Sequence, residues 1–430
     1  MRTSARTDCY SPHTLPHATG LDPGPTLDDQ SLGRLHVLVA GLCAAVVFID
    51  GFDAQVMGFV APALSAELHI PRVMLGAVIS SGTFGMMFGA LTFGPIADRI
   101  GRKPVLVACA LTFGLGSLVT ATATTVASLT AFRVITGFGM GGAMPNAIAL
   151  TSEFMPARSR TSVVMTMFCG FAFGSACAGW VAAAVIGRFG WQSVFLIGGV
   201  TPLLLAAFLI AFLPESVQFL ALKRGGATAA TGSSSVRLLL EDGRAGVTLL
   251  LWTMFFMNLL NLWFLNNWLP LIMTDAGIRI EAASLITSLF QIGGLIGSLA
   301  LAGVFGRRLS FRLLAAVFLA AAIFILLIGE ARASIPLLVI AVFASGVAVI
   351  GGQTASNALA ADLYPTAIRS TGVGWALGVG RVGSILGPIL GGVLLSYGGG
   401  ARRTFWAAAV PALIATCAAL AISSNQAKRA

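Results

Sequence analysis

The chain runs to 430 residues, of which 57% are hydrophobic and 10% charged, with a formal net charge of +10 and a mean hydropathy of +0.91. So few polar residues cannot clothe a water-soluble globule of this length, which leaves an integral membrane protein. The positive charge does not imply nucleic acid, because the basic residues are scattered over loops and form no dense patch interleaved with aromatics.

Residues 1–33 are rich in Pro, Thr, Asp and His, lack the apolar core of a signal peptide, and read as a disordered cytoplasmic tail. Cys9, His13 and His17 are residue types found at metal sites, but a disordered tail is the simpler reading of them. Apolar runs of about 20 residues then recur between short polar breaks. They predict twelve membrane-spanning helices at 35–60, 73–97, 104–124, 126–149, 161–185, 191–213, 247–272, 283–305, 313–330, 335–360, 371–396 and 403–421. Of the six cysteines, Cys43, Cys109, Cys169, Cys177 and Cys417 fall within these spans and read as small packing residues rather than a disulfide framework.

The first span carries Asp50 and Asp53, three residues apart and so on one helix face. An unpaired charge inside a bilayer costs at least about 2.5–3.5 kcal/mol, so two acids here imply a polar site between helices. Apolar surroundings and a neighbouring like charge disfavour ionisation of one of them, giving a proton-carrying group, while an adjacent arginine keeps the other ionised. Spacing alone does not say which is which. After the second span comes a turn, Gly94-Pro95-Ile96-Ala97-Asp98-Arg99-Ile100-Gly101-Arg102-Lys103, in which Asp98 is placed to cap a helix or pair with an arginine.

In the fourth span lies Arg133, followed by Gly137-x-Gly139-x-x-Gly142. That run satisfies the dinucleotide-binding pattern, but no strand precedes it, so the glycines read as close helix packing. The same holds for Gly170, Gly174 and Gly179 in the fifth span. Residues 214–246, with Lys223, Arg224 and a Gly/Ser/Thr-rich stretch, read as a cytoplasmic linker.

The seventh span places Asn258 and Asn261 on one face and Trp263, Asn266, Asn267 and Trp268 toward its far end, while the eighth carries Ser288 and Gln291. Amides and indoles of this kind suit a hydroxylated aromatic ring, although Trp268 equally fits an interfacial anchor. Gln353 and Asn357 in the tenth span read as hydrogen-bonding glue between helices. Arg381 in the eleventh span is the second buried cation, able like Arg133 to grip a carboxylate with two parallel hydrogen bonds. Because spans one and four share a half, Arg133 is the expected partner of the aspartates and Arg381 the expected anion ligand.

The two halves match at a constant offset of 209 residues: Gly94 with Gly303, Glu153 with Asp362, Pro156 with Pro365, Arg160 with Arg369, Gly174 with Gly383, Pro202 with Pro411. A six-helix unit has been duplicated in parallel orientation, giving halves 34–213 and 247–421 and a short tail 422–430. The predicted fold is therefore an all-α membrane protein of two pseudo-symmetric six-helix halves, with a site at their midplane. Most of the 26 Lys and Arg fall on the side of the two termini. Only Arg72, Arg188, Arg279, Arg332, Arg402 and Arg403 lie in opposite loops, a bias that predicts cytoplasmic N- and C-termini.

The spacing Gly-x3-Asp-Arg-x-Gly-Arg-Lys at Gly94 to Lys103 resembles the cytoplasmic gate motif of the major facilitator superfamily. That resemblance implies gating roles for Gly94, Asp98, Arg99, Gly101 and Arg102, together with Glu153, Arg160 and Arg369. At the repeat-equivalent position of Asp98 stands Arg307, so the second gate is degraded. Asp50-Gly51-Phe52-Asp53 followed by Gly58 and Ala61-Pro62, the Arg133 to Asn146 stretch, Pro214-Glu215-Ser216, Trp268-Leu269-Pro270 and Tyr364 to Gly372 resemble the aromatic acid:proton symporters. The likeness runs from about 34 to 421.

It implies a bacterial inner-membrane carrier, working as a monomer, that imports an aromatic carboxylate of the benzoate or hydroxybenzoate type with a proton by alternating access. Asp50 and Asp53 would couple the proton, and Arg133, Arg381, Asn258, Asn261, Gln291 and Trp268 would bind substrate. The alternative is a proton-coupled exporter of drugs or organic acids, favoured by the glycines of the fifth span and disfavoured by the twin carboxylates with two arginines. No H-E-x-x-H, Walker loop or nucleophile elbow supports an enzyme, and no cofactor is expected.

Overall fold

In the computed structural model the described residues are 33–216, 219–220, 237–241, 244–303, 310–331, 334–364, 368–398 and 400–427, of which Ala157, Arg158, Arg160, Thr161, Met165, Leu238, Ala302, Gly303, Ala361, Ser370 and Ala427 are described by their backbone alone. Residues 1–32, most of the expected linker, Arg307 and the Arg160 side chain lie outside that set. The described chain contains twelve long helices and one four-residue helix, Arg237–Leu240. The first six are α1 (Arg34–Glu67), α2 (Arg72–Ile100), α3 (Arg102–Thr120), α4 (Val126–Phe154), α5 (Ala157–Phe189) and α6 (Gln192–Phe212). The second six are α7 (Ala245–Asp275), α8 (Ile280–Gly303), α9 (Phe311–Glu330), α10 (Ile335–Leu363), α11 (Arg369–Ser396) and α12 (Gly400–Ala427). Eleven of them hold an apolar stretch long enough to cross a membrane. The exception is α4, where Arg133, Asn146 and a run of glycines dilute the apolar residues.

Several helices outrun their predicted spans. The run Gly94–Ile100, expected as loop, continues α2 through Pro95, so the turn to α3 shrinks to Gly101 alone. Gly101 has φ +104, the left-handed region that a residue with a Cβ rarely adopts. Likewise α1 runs past Pro62 to Glu67. These ends project beyond the apolar core of each helix, where hydropathy no longer marks the boundary.

The duplication is legible in three dimensions. Within the first half α1 packs on α5, α2 and α3 on α4, and α3 on α6; within the second, α7 packs on α11, α8 and α9 on α10, and α9 on α12. Where α2 and α4 cross, a Cβ on Gly137 would fall 1.9 Å from the Gly82 carbonyl oxygen, and on the equivalent Gly346 it would fall 2.0 Å from that of Phe290. Only glycine permits both approaches.

Contacts between halves join α1 to α7, α2 to α11 and α5 to α8. They concentrate at the end opposite the termini. There one apolar cluster runs through both halves, from Phe59, Leu75 and Trp191 to Trp268, Phe290 and Phe405. At the terminal end each half has its own cluster, around Leu106 and Leu150 in the first and Phe255 and Tyr364 in the second. Polar ties follow the same division: Ser80 Oγ donates to the Ile385 carbonyl at 2.7 Å, Ser288 Oγ to that of Ala176 at 3.2 Å, and Arg72 pairs with Asp275 at 2.8 Å. The halves are closed at the end opposite the termini.

Candidate functional site

Midway along α1, residues 49–61 are all buried, and within that stretch Asp50 and Asp53 are 1% and 0% exposed. Their fates differ. Asp53 accepts from Arg133 Nη1 of α4 at 3.2 and 3.0 Å, a pair sealed inside the first half. The guanidinium lies 5.6 Å from the centre of the Phe195 ring of α6, and its Nε has no partner. Removing either of two opposite charges so enclosed would leave the other stranded.

Asp50 has no hydrogen-bond partner at either oxygen. The cation that acts on it most strongly is Arg381 of α11, in the opposite half. Arg381 is partly exposed, and its guanidinium makes no hydrogen bond to a described residue. Each half thus contributes an arginine, one committed to an aspartate and one uncommitted. Asp53 is the paired acid and Asp50 the enclosed, unpaired one, a choice that spacing alone left open.

The expected polar residues of α7 and α8 divide in the same way. Asn258 Nδ2 donates to Gln353 Oε1 at 2.8 Å and to the Val349 carbonyl at 3.2 Å, and Gln353 passes a bond on to Asn357. Asn258 therefore joins α7 to α10 instead of presenting its donor to a ligand. Trp268, expected either at the site or at the membrane interface, is at neither: it is fully buried and its indole N–H donates to the Pro388 carbonyl at 2.9 Å. A buried indole is satisfied once that one donor has a partner. Asn261 is buried with no partner at either amide atom. Gln291 Nε2 donates to Asn266 Oδ1 at 2.9 Å.

Sequence reasoning passed over Gln55, which is 1% exposed with neither amide atom partnered. Ser284 and Thr287 of α8 are likewise enclosed and unpartnered. An amide two residues beyond Asp53 in an apolar helix was a visible signal, overshadowed by the acids beside it.

At the terminal end, Arg102 Nε pairs with Glu153 Oε1 at 2.7 Å. Glu215, just past α6, accepts from the backbone N–H groups of Arg102 and Lys103 at 2.8 and 3.2 Å, and the Ser216 hydroxyl donates to Glu153. A carboxylate on two free N–H groups at a helix start is favoured by both hydrogen bonding and the helix dipole. The cap of α3 is thus Glu215, not Asp98. Asp98 and Arg99 are exposed and have no partner among the described residues, Arg369 is exposed at the start of α11, and open space surrounds Gly94.

The family model for the Major Facilitator Superfamily matches residues 43–271 and 251–429. The chain is 39% identical to the 4-hydroxybenzoate transporter PcaK of Pseudomonas aeruginosa, over 95% of this chain and 97% of that one. It is also 39% identical to the gallate transporter of Pseudomonas putida (93% and 95% covered) and 33% identical to the benzoate transport protein of Acinetobacter baylyi (90% and 90%). Among solved structures it resembles a bacterial Spinster homologue at TM-score 0.77 and 18% identity, covering 91% of this chain and 97% of that one. The xylose transporter XylE of E. coli matches at TM-score 0.72 and 18% identity, with 89% and 95% covered.

Proposed function

The chain belongs to the major facilitator superfamily, whose members are multi-pass membrane transporters and not enzymes, and we propose that it imports an aromatic carboxylate of the benzoate or hydroxybenzoate type together with a proton. The single observation that carries this reading is the pairing pattern of the four charges within the apolar spans: Arg133 is taken by Asp53, while neither Asp50 nor Arg381, one in each half, has a hydrogen-bond partner among the described residues. The relatives' names supply the aromatic acid class.

Coupling follows from competition for Arg381. When the substrate carboxylate occupies Arg381, that cation is no longer available to Asp50, and Asp50, enclosed in apolar surroundings, is the group that carries the proton. The loaded site, with substrate charge matched by Arg381 and Asp50 neutral, is cheapest to carry through the closed state. Release of the substrate returns Arg381 to Asp50, which gives up its proton on the same side. One monoanion with one proton is electroneutral, driven by about 1.4 kcal/mol per unit of pH difference. Asn261 and Gln291 supply polar contacts beyond the carboxylate, and the turn from Gly94 to Arg102, with Glu153, Arg160 and Arg369, serves as the gate at the terminal end. The Lys and Arg bias supports a cytoplasmic terminal end, and the bacterial relatives support an inner-membrane location. A single chain holds both halves of the pathway, so a monomer suffices.

The test is uptake of labelled 4-hydroxybenzoate and benzoate into right-side-out vesicles. Accumulation under an inward pH gradient, abolished by a protonophore, is expected. Efflux under the same gradient, or no transport of either acid, would overturn the reading.

A further inference from the structure

Gln55 is a buried polar residue of the membrane-spanning interior with no assigned role. Both of its amide atoms are enclosed without a partner, an arrangement that destabilises relative to a satisfied or apolar side chain. Met or Leu would fill the space without that cost, so packing does not account for a glutamine.

Its position does. One turn before Gln55 on the same face, Gly51 lies against the Phe171 backbone of α5; one turn after it, Gly58 lies against the Asn266 carbonyl of α7. Gln55 therefore issues from α1 between a helix of its own half and a helix of the other. On the far side of that seam stands the Asn266–Gln291 pair, whose single mutual bond leaves the Asn266 N–H group and the Gln291 carbonyl oxygen uncommitted. Two donors and two acceptors thus surround one seam between halves. Gln55 is five residues from Asp50, about 7.5 Å further along α1 toward the closed end.

We infer that Gln55, with Asn266 and Gln291, reads a ring hydroxyl of the substrate at the end remote from its carboxylate. This rests on the aromatic-acid reading above and adds the group that separates hydroxylated from plain acids. With the carboxylate at Arg381, the ring extends toward the closed end, where Gln55 stands. A phenolic hydroxyl at the meta or para position then meets an amide able both to donate to it and to accept from it. A hydroxyl ortho to the carboxylate stays beside Arg381 and goes unread.

The experiment compares inhibition of labelled 4-hydroxybenzoate uptake by unlabelled 4-hydroxybenzoate, 2-hydroxybenzoate and benzoate, in the parent and in Gln55→Met and Gln55→Leu. The parent should prefer 4-hydroxybenzoate over the other two. In the variants its apparent affinity should fall roughly tenfold or more, since a site built to bond a hydroxyl loses its discrimination with the bonding group. Benzoate should stay within about twofold in the same measurement, which also shows that the variants fold. Equal losses for all three acids would make Gln55 a packing residue, and an unchanged preference, or a parent without preference, would equally overturn the inference while leaving aromatic acid transport standing. A parent that carries none of the acids would overturn both readings.

Discussion

Both oxygens of Asp53 are bonded by a single nitrogen, Arg133 Nη1, inside the first half, whereas Asp50, one turn earlier on the same helix, is bonded by nothing. The first pair is a fixed part of the half that contains it. Asp53→Asn strands the Arg133 charge and should lower stability by about 3–5 kcal/mol, read from thermal or denaturant unfolding in detergent. Adding Arg133→Leu to Asp53→Asn should recover much of that loss. A stable single variant would mean that the pair carries no structural charge balance.

Asp50→Asn should behave differently. It removes an acid with no hydrogen bond to lose, so folding should be near normal. Uphill accumulation under a pH gradient should vanish, while exchange of labelled for unlabelled substrate continues and becomes insensitive to pH. Normal accumulation by Asp50→Asn would place the proton elsewhere.

Arg381 is uncommitted to any described hydrogen-bond partner, so its replacement should be felt mainly by the ligand. Arg381→Lys keeps the charge but loses the planar fork, and uptake should fall sharply. Arg381→Ala should weaken carboxylate binding by roughly 2–5 kcal/mol, about thirtyfold or more, with little effect on the matching amide. Calorimetric titration of both ligands would show it; equal losses would make Arg381 a structural cation.

Arg72 and Asp275 tie the halves at the closed end through side chains that are 30% and 45% exposed. A pair so accessible is worth about 0–1 kcal/mol, so Asp275→Asn should shift the carrier toward opening at that end by no more than about fivefold. Labelling of a cysteine at Ala61, which is buried beneath the pair, by an impermeant maleimide in a background without the native cysteines would report the shift. Unchanged labelling would show that the apolar contacts alone hold this face shut.

Asp98 is exposed and has no partner among the described residues, and we propose that it acts in the gate at the terminal end. Asp98→Asn should slow turnover with substrate affinity little changed. A large loss of affinity at normal turnover would remove it from the gate.

The fold was legible because two periodic signals survive in the residues themselves. Hydropathy placed the sixth span at 191–213, and the helix is Gln192–Phe212. The repeat offset of 209 also holds in the structure: α3 and α9 begin at Arg102 and Phe311, α4 and α10 at Val126 and Ile335. The four buried charges stood out because apolar helices tolerate none without purpose. Partner choice was not legible. Whether Trp268 meets a ligand or the Pro388 carbonyl, and whether Asn258 faces a ligand or Gln353, depends on how α7 is rotated against α10 and α11, which helix periodicity leaves free. The cap supplied by Glu215 was hidden for the same reason, since it reaches the start of α3 from beyond α6.

Among the described residues, the polar ties across the closed end consist of two neutral hydroxyl-to-carbonyl bonds and one exposed ion pair. At about 1 kcal/mol for each hydrogen bond and less for the pair, their sum is only a few kcal/mol. Inverting a two-state population from 1:99 to 99:1 takes roughly 5.5 kcal/mol. Polar ties this light leave the apolar cluster shared by the two halves as the main resistance to opening, which is surface that water must wet each time the closed end parts.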